Sequence, residues 1–411
     1  MTTSLSTRRK WPIRPLTRSK DPRQPLPPGF GAIWSSVALD LVGFGIVIPI
    51  LPLYAESGGF NASPAVIGLL VASFSLAQLV FAPLWGRVSD RIGRKPVLVL
   101  SLAGTALGSL LTGLAPNLAL LFIGRLVDGA SGASVSVAQA AVADVASPEE
   151  RPRLLGLLGA AFGLGFVAGP ALGALAALGG HRLPFLLAAA LAAVNAVVAA
   201  RRIPETKPDT PVSQGVEDRP WRSDVVLPLV AIAFCSLCAF SAFEATFALM
   251  GERRLGLDLA STGAVFAGIG LLITVANVLV VAPTVRRAGE AGALGIGLAL
   301  NAIGPLLLVP ASSWATVAPA LVALTTGQGL ITPTLASLVA GTAEASRRGG
   351  ALGVQQAAAG LARVVGPAAA GVAFERVGIG APYLGGAVLV LVALGALGHF
   401  GRSRAEVVTV R

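Results

Sequence analysis

Five ionisable side chains of this sequence lie inside long apolar stretches, where a charge is costly unless it faces protein or water. They are Asp40, Arg125, Asp128, Glu244 and Arg363. A carboxylate in such a place can take up and release a proton, and a nearby arginine can neutralise it. These residue types therefore predict proton handling or ion pairing within a membrane.

The composition supports a membrane location for these residues. Of 411 residues, 54% are hydrophobic and only 12% are charged, and the mean hydropathy is +0.78. An ordinary soluble chain is about 25% charged. The two cysteines, Cys235 and Cys238, lie in one apolar run and are interpreted as packing residues rather than a redox pair. The sequence therefore predicts an all-α membrane protein.

Twelve apolar runs each approach the ~20 residues that a helix needs to cross ~30 Å of hydrocarbon. Their approximate bounds are 31–55, 64–86, 96–115, 118–142, 153–179, 183–200, 225–250, 260–284, 291–309, 314–340, 349–374 and 381–401. The polar stretch 201–224 divides them six and six, and its four prolines and ten charged residues exclude a span.

The predicted organisation follows from these runs. It comprises a disordered basic tail over 1–30, a six-helix half over 31–200, a linker over 201–224, a second six-helix half over 225–401 and a tail over 402–411.

The two halves carry a faint internal repeat. Gly169-Pro170 recurs as Gly366-Pro367 after 197 residues, and Arg91-x-Gly93 recurs as Arg287-x-Gly289 after 196 residues. Many polytopic membrane folds contain such duplications. We therefore expect twelve transmembrane helices in two pseudo-symmetric halves.

The distribution of Lys and Arg predicts the orientation. Of the 31 Lys and Arg residues, 25 lie on the side of both termini, four lie on the other side and two lie within spans. Such a bias predicts cytoplasmic termini. It also accounts for the net charge of +11 without a nucleic-acid partner, because these short loops face lipid headgroups. The excess of Arg over Lys, 27 to 4, with abundant Ala and Gly, favours a bacterial cytoplasmic membrane.

The loop between the second and third runs carries a distinctive pattern. Gly86 to Lys95 reads G-x-x-x-D-R-x-G-R-K, and Gly86 and Gly93 are expected to allow a tight turn. The pattern resembles the loop between spans 2 and 3 of the major facilitator superfamily, whose architecture is also two six-span halves. The resemblance implies that the chain is a transporter of this fold.

The same resemblance implies a conformational latch in this loop. Asp90, Arg91 and Arg94 would form it with the acidic partner Asp144, and Asp90 would contact the start of span 11 when the transporter faces outward. The alternative, a loop that only fixes topology, explains the arginines but not an aspartate flanked by cations.

The fifth run carries a second family motif. It resembles the antiporter motif of proton-driven drug exporters, which importers of the superfamily usually lack, although Ala174 replaces its last glycine. The matching residues are Gly156, Gly165, Gly169, Pro170 and Gly173. Read from the residues alone, the same spacing also fits a seam for close helix packing.

In this family spans 1, 4, 7 and 10 line the central cavity. Asp40 lies in a first span that resembles those of drug and tetracycline exporters, and it is either a proton or substrate site or a partner for Arg125. Arg125 begins an R-x-x-x-G motif that ends at Gly129. Asp128, on the same face, either takes part in proton coupling or forms a structural ion pair with Arg125.

The C-terminal half contributes three further candidates. Glu244 has no cation near it in its own span and is a candidate proton or cation site, or a residue near a water-filled mouth. Arg363 is expected to pair with a carboxylate across the halves or to serve packing alone. Gln328 is the polar residue that span 10 offers to the cavity.

The resemblance implies proton-driven efflux of small lipophilic drugs by alternating access, and hence a role in antibiotic resistance. Because the sequence contains no phosphate-binding loop, no metal-ligand cluster and no nucleophile–base pattern, we expect no enzymatic activity, no cofactor and a proton gradient as energy source. We also expect a monomer. The alternatives are a proton-coupled carrier of a sugar or organic acid and a non-transporting sensor of the same fold.

Overall fold

The computed structural model describes residues 26–147, 150–206, 223–342 and 348–409, and every regular element within these ranges is a helix. The predicted tails, over 1–30 and 402–411, and the linker over 201–224 lie partly outside the described residues.

Seven helices form the N-terminal half. They are α1 Phe30–Ser57, α2 Pro64–Ile92, α3 Arg94–Leu114, α4 Leu118–Ser131, α5 Ser134–Val145, α6 Arg151–Ala177 and α7 Leu183–Arg202. Pro64 and Pro184 lie in the first turns of α2 and α7, where the missing N–H has no helical partner to lose.

The C-terminal half follows the same plan with six α-helices. They are α8 Ser223–Leu255, α9 Leu259–Val275, α10 Val281–Leu308, α11 Trp314–Thr342, α12 Arg348–Arg376 and α13 Ala381–Thr409, with a short π-helix, Ala276–Val280, between α9 and α10.

Eleven stretches of the described chain are long and apolar enough to cross a membrane. One of them, Leu259–Leu308, is 50 residues long, more than twice the ~20 residues that one crossing needs. Its backbone leaves helical geometry at Gly289 (φ 70°, ψ 174°), between the two spans expected in this region. The predicted count of twelve is met only when this stretch is divided at Gly289.

The break at Gly289 has a counterpart in the N-terminal half. Gly93, 196 residues earlier, separates α2 from α3 with φ 110° and ψ 160°. Positive φ angles favour glycine, since it has no Cβ. The matching breaks support the predicted duplication.

The fourth span differs from its prediction as one continuous helix. The structure divides it into α4 and α5 at Gly132 and Ala133. A broken helix leaves backbone groups without partners, which is costly inside a membrane unless other groups satisfy them. Three side chains from α2 and α3 do so: Gln78, Trp85 and Ser101.

The bonds at this break are direct. The Gln78 amide donates to the Gly132 carbonyl at 3.0 Å, and the Trp85 indole donates to the Ala130 carbonyl at 2.6 Å. The Ser101 hydroxyl accepts from the Ala133 N–H at 3.1 Å and donates to the Ser131 carbonyl.

We call the end of the bundle with the start of α1, the α2–α3 junction and the end of α7 the basic face. The end with the α1–α2 and α8–α9 connections is the opposite face.

The two halves meet chiefly through contacts of α2 with α12 and of α6 with α9. A Cβ on Gly68 would lie 2.3 Å from the Pro367 carbonyl oxygen, and one on Gly270 would lie 2.1 Å from that of Phe166. Glycine thus allows close backbone approach between the halves, near the opposite face at Gly68 and near the middle of the spans at Gly270.

Candidate functional site

The predicted latch residues form a charged cluster around Arg94. Its guanidinium bonds Asp90 at 2.6 Å, Asp144 at 2.8 Å and the Ser89 hydroxyl at 2.7 Å. Arg94 and Asp144 are only 13% and 14% exposed, whereas Asp90 is 62% exposed. The structure therefore brings Asp90, Arg94 and Asp144 together, with Asp90 at the accessible edge.

Glu205, which the sequence analysis did not single out, completes this cluster. Its carboxylate accepts from the Arg94 N–H at 2.8 Å and the Lys95 N–H at 3.3 Å. It thereby caps the N-terminus of α3, where a negative charge is favoured. A Cβ on Gly93 would lie 2.3 Å from a Glu205 oxygen, so this close approach also requires glycine. The sequence signal that could have revealed Glu205 was the position of an acidic residue just after a predicted span.

Two members of the loop motif differ in their roles. Gly86 lies within α2 and not in a turn, so the expectation that it helps to form the turn is wrong, and Gly93 alone supplies it. Arg91 lies in the last turn of α2, where a cation complements the helix dipole.

Asp40 of α1 contacts the start of α5. The Ser134 hydroxyl donates a hydrogen bond to its carboxylate. Because α5 begins at Ser134, the break in the fourth span presents a helix N-terminus to this acid, which favours negative charge there. Ser134 was missed by the sequence analysis, although the small-residue run from Ser131 to Ser134 was a signal for the break.

Arg125 and Asp128 form a buried ion pair within α4. The Arg125 guanidinium donates to the Asp128 carboxylate at 2.9 Å, and the two side chains are 5% and 8% exposed. The guanidinium carbon also lies 4.4 Å from the centroid of the Phe74 ring, which a cation favours. The Arg125 Nε atom is buried without a hydrogen-bond partner among the described residues.

These two acids of the N-terminal half lie within electrostatic reach of each other. Asp40 interacts with Asp128, while the ion-pair partner of Arg125 is Asp128 and not Asp40. Two carboxylates and one arginine thus share one region of the bundle between α1, α4 and α5. Such a group carries one negative charge in excess and can accept a proton without creating net positive charge.

Glu244 and Arg363 form a second charged site in the C-terminal half. Glu244 of α8 is half-buried and interacts electrostatically with Arg363 of α12. The expectation that Arg363 pairs across the halves is therefore corrected, because this carboxylate belongs to its own half. The helices approach closely here, since a Cβ on Gly366 would lie 2.5 Å from the Cys238 carbonyl oxygen.

Gln328 of α11 belongs to a neutral polar cluster. It accepts from the Asn301 amide at 3.3 Å and donates to the Thr332 hydroxyl at 3.3 Å, and it is 9% exposed. Its amide is thus already engaged, and a ligand that reached it would have to compete with these neighbours.

Three glycines of the antiporter motif pack α6 against α1. A Cβ on Gly165 would lie 2.6 Å from the Leu41 Cβ, one on Gly169 would lie 2.6 Å from the Gly45 Cα, and one on Gly173 would lie 2.9 Å from the Ile50 side chain. Gly156, nearer the basic face, has no such neighbour within 4 Å.

The other side of α6 contacts α9 of the second half. A Cβ on Gly263 would lie 2.9 Å from the Ala174 Cβ and 3.0 Å from the Pro170 carbonyl oxygen. The methyl group at Ala174 is therefore accommodated by a glycine in the facing helix. The motif helix links α1, which carries Asp40, to the interface between the halves.

Comparison with known protein families identifies the family of this chain. The family model described as Major Facilitator Superfamily matches residues 33–294, more than half of the chain. The chain belongs to the Major Facilitator Superfamily. The family and the all-helical fold that the sequence analysis predicted are therefore confirmed.

Relatives within the Major Facilitator Superfamily share much of the chain. The class B tetracycline resistance protein of Escherichia coli is 33% identical over 80% of this chain and 84% of its own. The class C protein of the same organism is 32% identical over 91% and 97%. Multidrug resistance protein 2 of Bacillus subtilis is 28% identical over 89% and 93%.

Solved structures share the fold. The human organic anion transporter MFSD10 has a TM-score of 0.69 and 26% identity, over 90% of this chain and 98% of that chain. The POT family transporter PepTSo has a TM-score of 0.76 and 14% identity, over 93% of this chain and 99% of that chain. The second likeness concerns the fold alone.

Proposed function

We propose that this superfamily member exports lipophilic toxic compounds across the bacterial cytoplasmic membrane in exchange for protons. The observation that carries the proposal is the position of α6. This motif helix packs on α1, which bears Asp40, and on α9 of the other half. A change of charge at Asp40 can therefore act on the contact between the halves.

The relatives support the drug-like substrate. They are named as tetracycline and multidrug resistance proteins, and the alignments with them cover at least 80% of this chain. The energy source is proposed to be the proton gradient, because inward proton movement is worth about 2.3 kcal/mol per charge at 100 mV.

The proposed cycle alternates access between the two faces. The close contacts toward the opposite face, together with the 62% exposure of Asp90, fit a state whose cavity opens toward the basic face. A compound would bind from that side while an acid of the Asp40 region, or Glu244, is ionised. The basic face would then close as Asp90, at the edge of the Arg94 cluster, contacts the start of α12. Protonation from the opposite side would favour release of the compound.

The orientation and oligomeric state are part of the proposal. The basic face is assigned to the cytoplasm, together with both termini, because 25 of the 31 Lys and Arg residues lie on that side. The transporting unit is a monomer, since both halves of the cavity come from one chain.

The proposal is tested by measuring accumulation of tetracycline and of a fluorescent lipophilic cation in bacteria that express the chain. Expression is expected to lower accumulation, and a protonophore is expected to restore it. Glu244→Gln is expected to restore it too if Glu244 couples proton to substrate. Glu290→Gln, the same change at an acid outside the spans, is the matched comparison and should leave accumulation low. Unchanged accumulation of every compound on expression would overturn drug export and favour a narrow metabolite carrier.

A further inference from the structure

An ion pair joins the two halves at the opposite face. The Glu56 carboxylate, at the end of α1, lies 2.7 Å from the Arg253 guanidinium, near the end of α8. The guanidinium carbon of Arg253 also lies 4.9 Å from the centroid of the Phe374 ring of α12. The pair is only partly exposed, at 23% for Glu56 and 37% for Arg253.

A second contact joins the halves in the reciprocal sense. The Glu375 carboxylate of α12 accepts a hydrogen bond from the Ala65 N–H at 2.9 Å, in the first turn of α2. Each half thus contributes one carboxylate to the other, and both contacts exist only when this face is closed.

The Glu56 carboxylate is incompletely satisfied in this arrangement. Its Oε1 atom bonds Arg253, but its Oε2 atom is buried without a hydrogen-bond donor among the described residues. The carboxyl group of Glu252, on the C-terminal half, lies within hydrogen-bonding reach of the Glu56 carboxylate. Two ionised carboxylates only accept, so no hydrogen bond can form between them until one is protonated.

We propose that Glu252 binds a proton and donates it in a hydrogen bond to Glu56 when the halves close at the opposite face. This proton supplies the missing donor to Glu56 Oε2 and removes the repulsion between two like charges. When the halves separate, each carboxyl group returns to water and the proton leaves. This site goes beyond the proposed export function, because it lies at the interface and away from the acids in the spans.

Other charged groups near the opposite face do not replace Glu56 and Glu252 as the proposed proton site. They are His181, Arg182, Arg254, Asp258, Glu375 and Arg376, from the α6–α7 turn, α8, the start of α9 and α12. Arg254 is committed to backbone carbonyls at the end of α10, including Val309 at 2.8 Å. Hydrogen bonds from the Ser261 hydroxyl and N–H hold the pKa of Asp258 below its usual value, so this acid stays ionised near neutral pH.

The sign of the pH effect follows from proton uptake on closing. Because the closed state binds a proton that the open state releases, a lower pH on this side favours closure. The ratio of closed to open molecules can change by at most about tenfold per pH unit for one proton.

The test measures closure of the opposite face between pH 5.5 and pH 8 in detergent or nanodiscs, without substrate. Spin labels are placed on the exposed positions His181 and Ser312, one in each half, after Cys235→Ala and Cys238→Ala. The labels are attached at His181→Cys and Ser312→Cys. Double electron–electron resonance then reports the closed fraction.

The expected result is a closed fraction that rises as pH falls. Glu252→Gln supplies a permanent amide donor, so the opposite face of this variant should stay closed at pH 8. Its ratio of closed to open molecules should depend on pH less steeply than that of the wild type, by up to about tenfold per pH unit. Asp258→Asn keeps a good helix cap and should retain the wild-type dependence. The comparison is made between variants because Asp40, Asp128 and Glu244 can add a pH response of their own.

A Glu252→Gln curve parallel to the wild type would overturn the proposal, as would a wild-type closed fraction that does not change with pH. If Glu252→Gln does not fold, Glu56→Gln serves instead. Glu56→Gln should lower the closed fraction, because the ion pair with Arg253 is lost, and should also lose the pH dependence that Glu56 and Glu252 give to closure. Because no substrate is present, failure of drug export leaves this test unaffected, and failure here leaves export standing.

Discussion

The fourth span of the N-terminal half and its counterpart in the C-terminal half bury different chemistry. With the 196-residue offset between the Gly93 and Gly289 breaks, Arg125 and Asp128 correspond to Leu321 and Leu324. The first two form a buried ion pair, and the second two are buried leucines that are 6% and 0% exposed. The duplicated framework therefore accepts either an ion pair or two apolar residues at the same depth.

The two spans also differ in continuity. The N-terminal one is broken into α4 and α5, whereas α11 runs unbroken from Trp314 to Thr342. The side chains that satisfy the break are Gln78, Trp85 and Ser101, and the residues at the corresponding positions are Thr274, Val281 and Gly297. A helix break within the bundle requires such partners. Their absence at these three positions accounts for the continuous α11.

The loops after the second span of each half repeat the contrast. Arg94 binds Asp90 and Asp144, while at the corresponding position the Glu290 carboxylate accepts one hydrogen bond from Ser337 at 2.5 Å. The backbone break is retained and the charge is reversed. At these positions the two halves therefore share backbone geometry, while the ionic contacts lie in the N-terminal half.

The largest effect is expected from breaking the buried pair. Arg125→Leu leaves the Asp128 carboxylate buried without its cation, which should cost about 3–5 kcal/mol of stability. The double variant Arg125→Leu, Asp128→Leu copies the C-terminal half and should recover most of that loss, because it removes both charges. Thermal unfolding of purified protein in detergent measures both. A double variant as unstable as the single one would contradict the equivalence of the two spans.

A smaller effect is expected at the two loops. Arg94→Ala removes bonds to two carboxylates and should cost about 2–3 kcal/mol. Glu290→Ala removes one hydrogen bond and should cost about 1 kcal/mol. The two variants are compared by melting temperature in the same detergent. Equal losses at both loops would show that the Arg94 cluster adds no stability beyond that of its counterpart.

The smallest effect is expected at the helix break. Ser101→Ala removes one of the two acceptors of the Ala133 N–H and the hydroxyl donor to the Ser131 carbonyl, and should cost about 1–2 kcal/mol. Ser236→Ala is the matched control, since that buried hydroxyl bonds only carbonyls of its own helix, Ile232 and Ala233. Hydrogen exchange at α4 and α5 should increase in Ser101→Ala and not in the control. Unchanged exchange would mean that Ser101 does not hold the break.

Much of the fold could be predicted from the sequence because hydropathy reports membrane spans directly. The apolar runs and the glycine–proline repeat located the spans and the two halves. The break in the fourth span escaped prediction because its cause is in tertiary contacts: side chains of α2 and α3 replace hydrogen bonds that local sequence would keep. The run 131–134 alone is only a weak helix breaker.

The candidate site was predictable by residue type, but of its partnerships only the i, i+3 pair of Arg125 and Asp128 was predictable. Asp40, Asp128 and Glu244 were identified because a charge in an apolar run is rare. Their partners Ser134 and Arg363, and the cap that Glu205 gives to α3, depend on which helices pack together. Ser134 and Asp40 are 94 residues apart in the sequence, and Glu205 and Arg94 are 111 residues apart, so no local pattern could reveal these two hydrogen bonds.

The proposed coupling of proton flow to export runs first through the region of Asp40, Arg125 and Asp128, with Glu244 as the alternative acid. It is tested most directly in proteoliposomes with an imposed proton gradient, by comparing tetracycline accumulation in the wild type and in Arg125→Leu, Asp128→Leu. We expect uphill accumulation by the wild type that a protonophore abolishes, and none by the folded double variant. Gradient-driven accumulation by the double variant at the wild-type rate would contradict it.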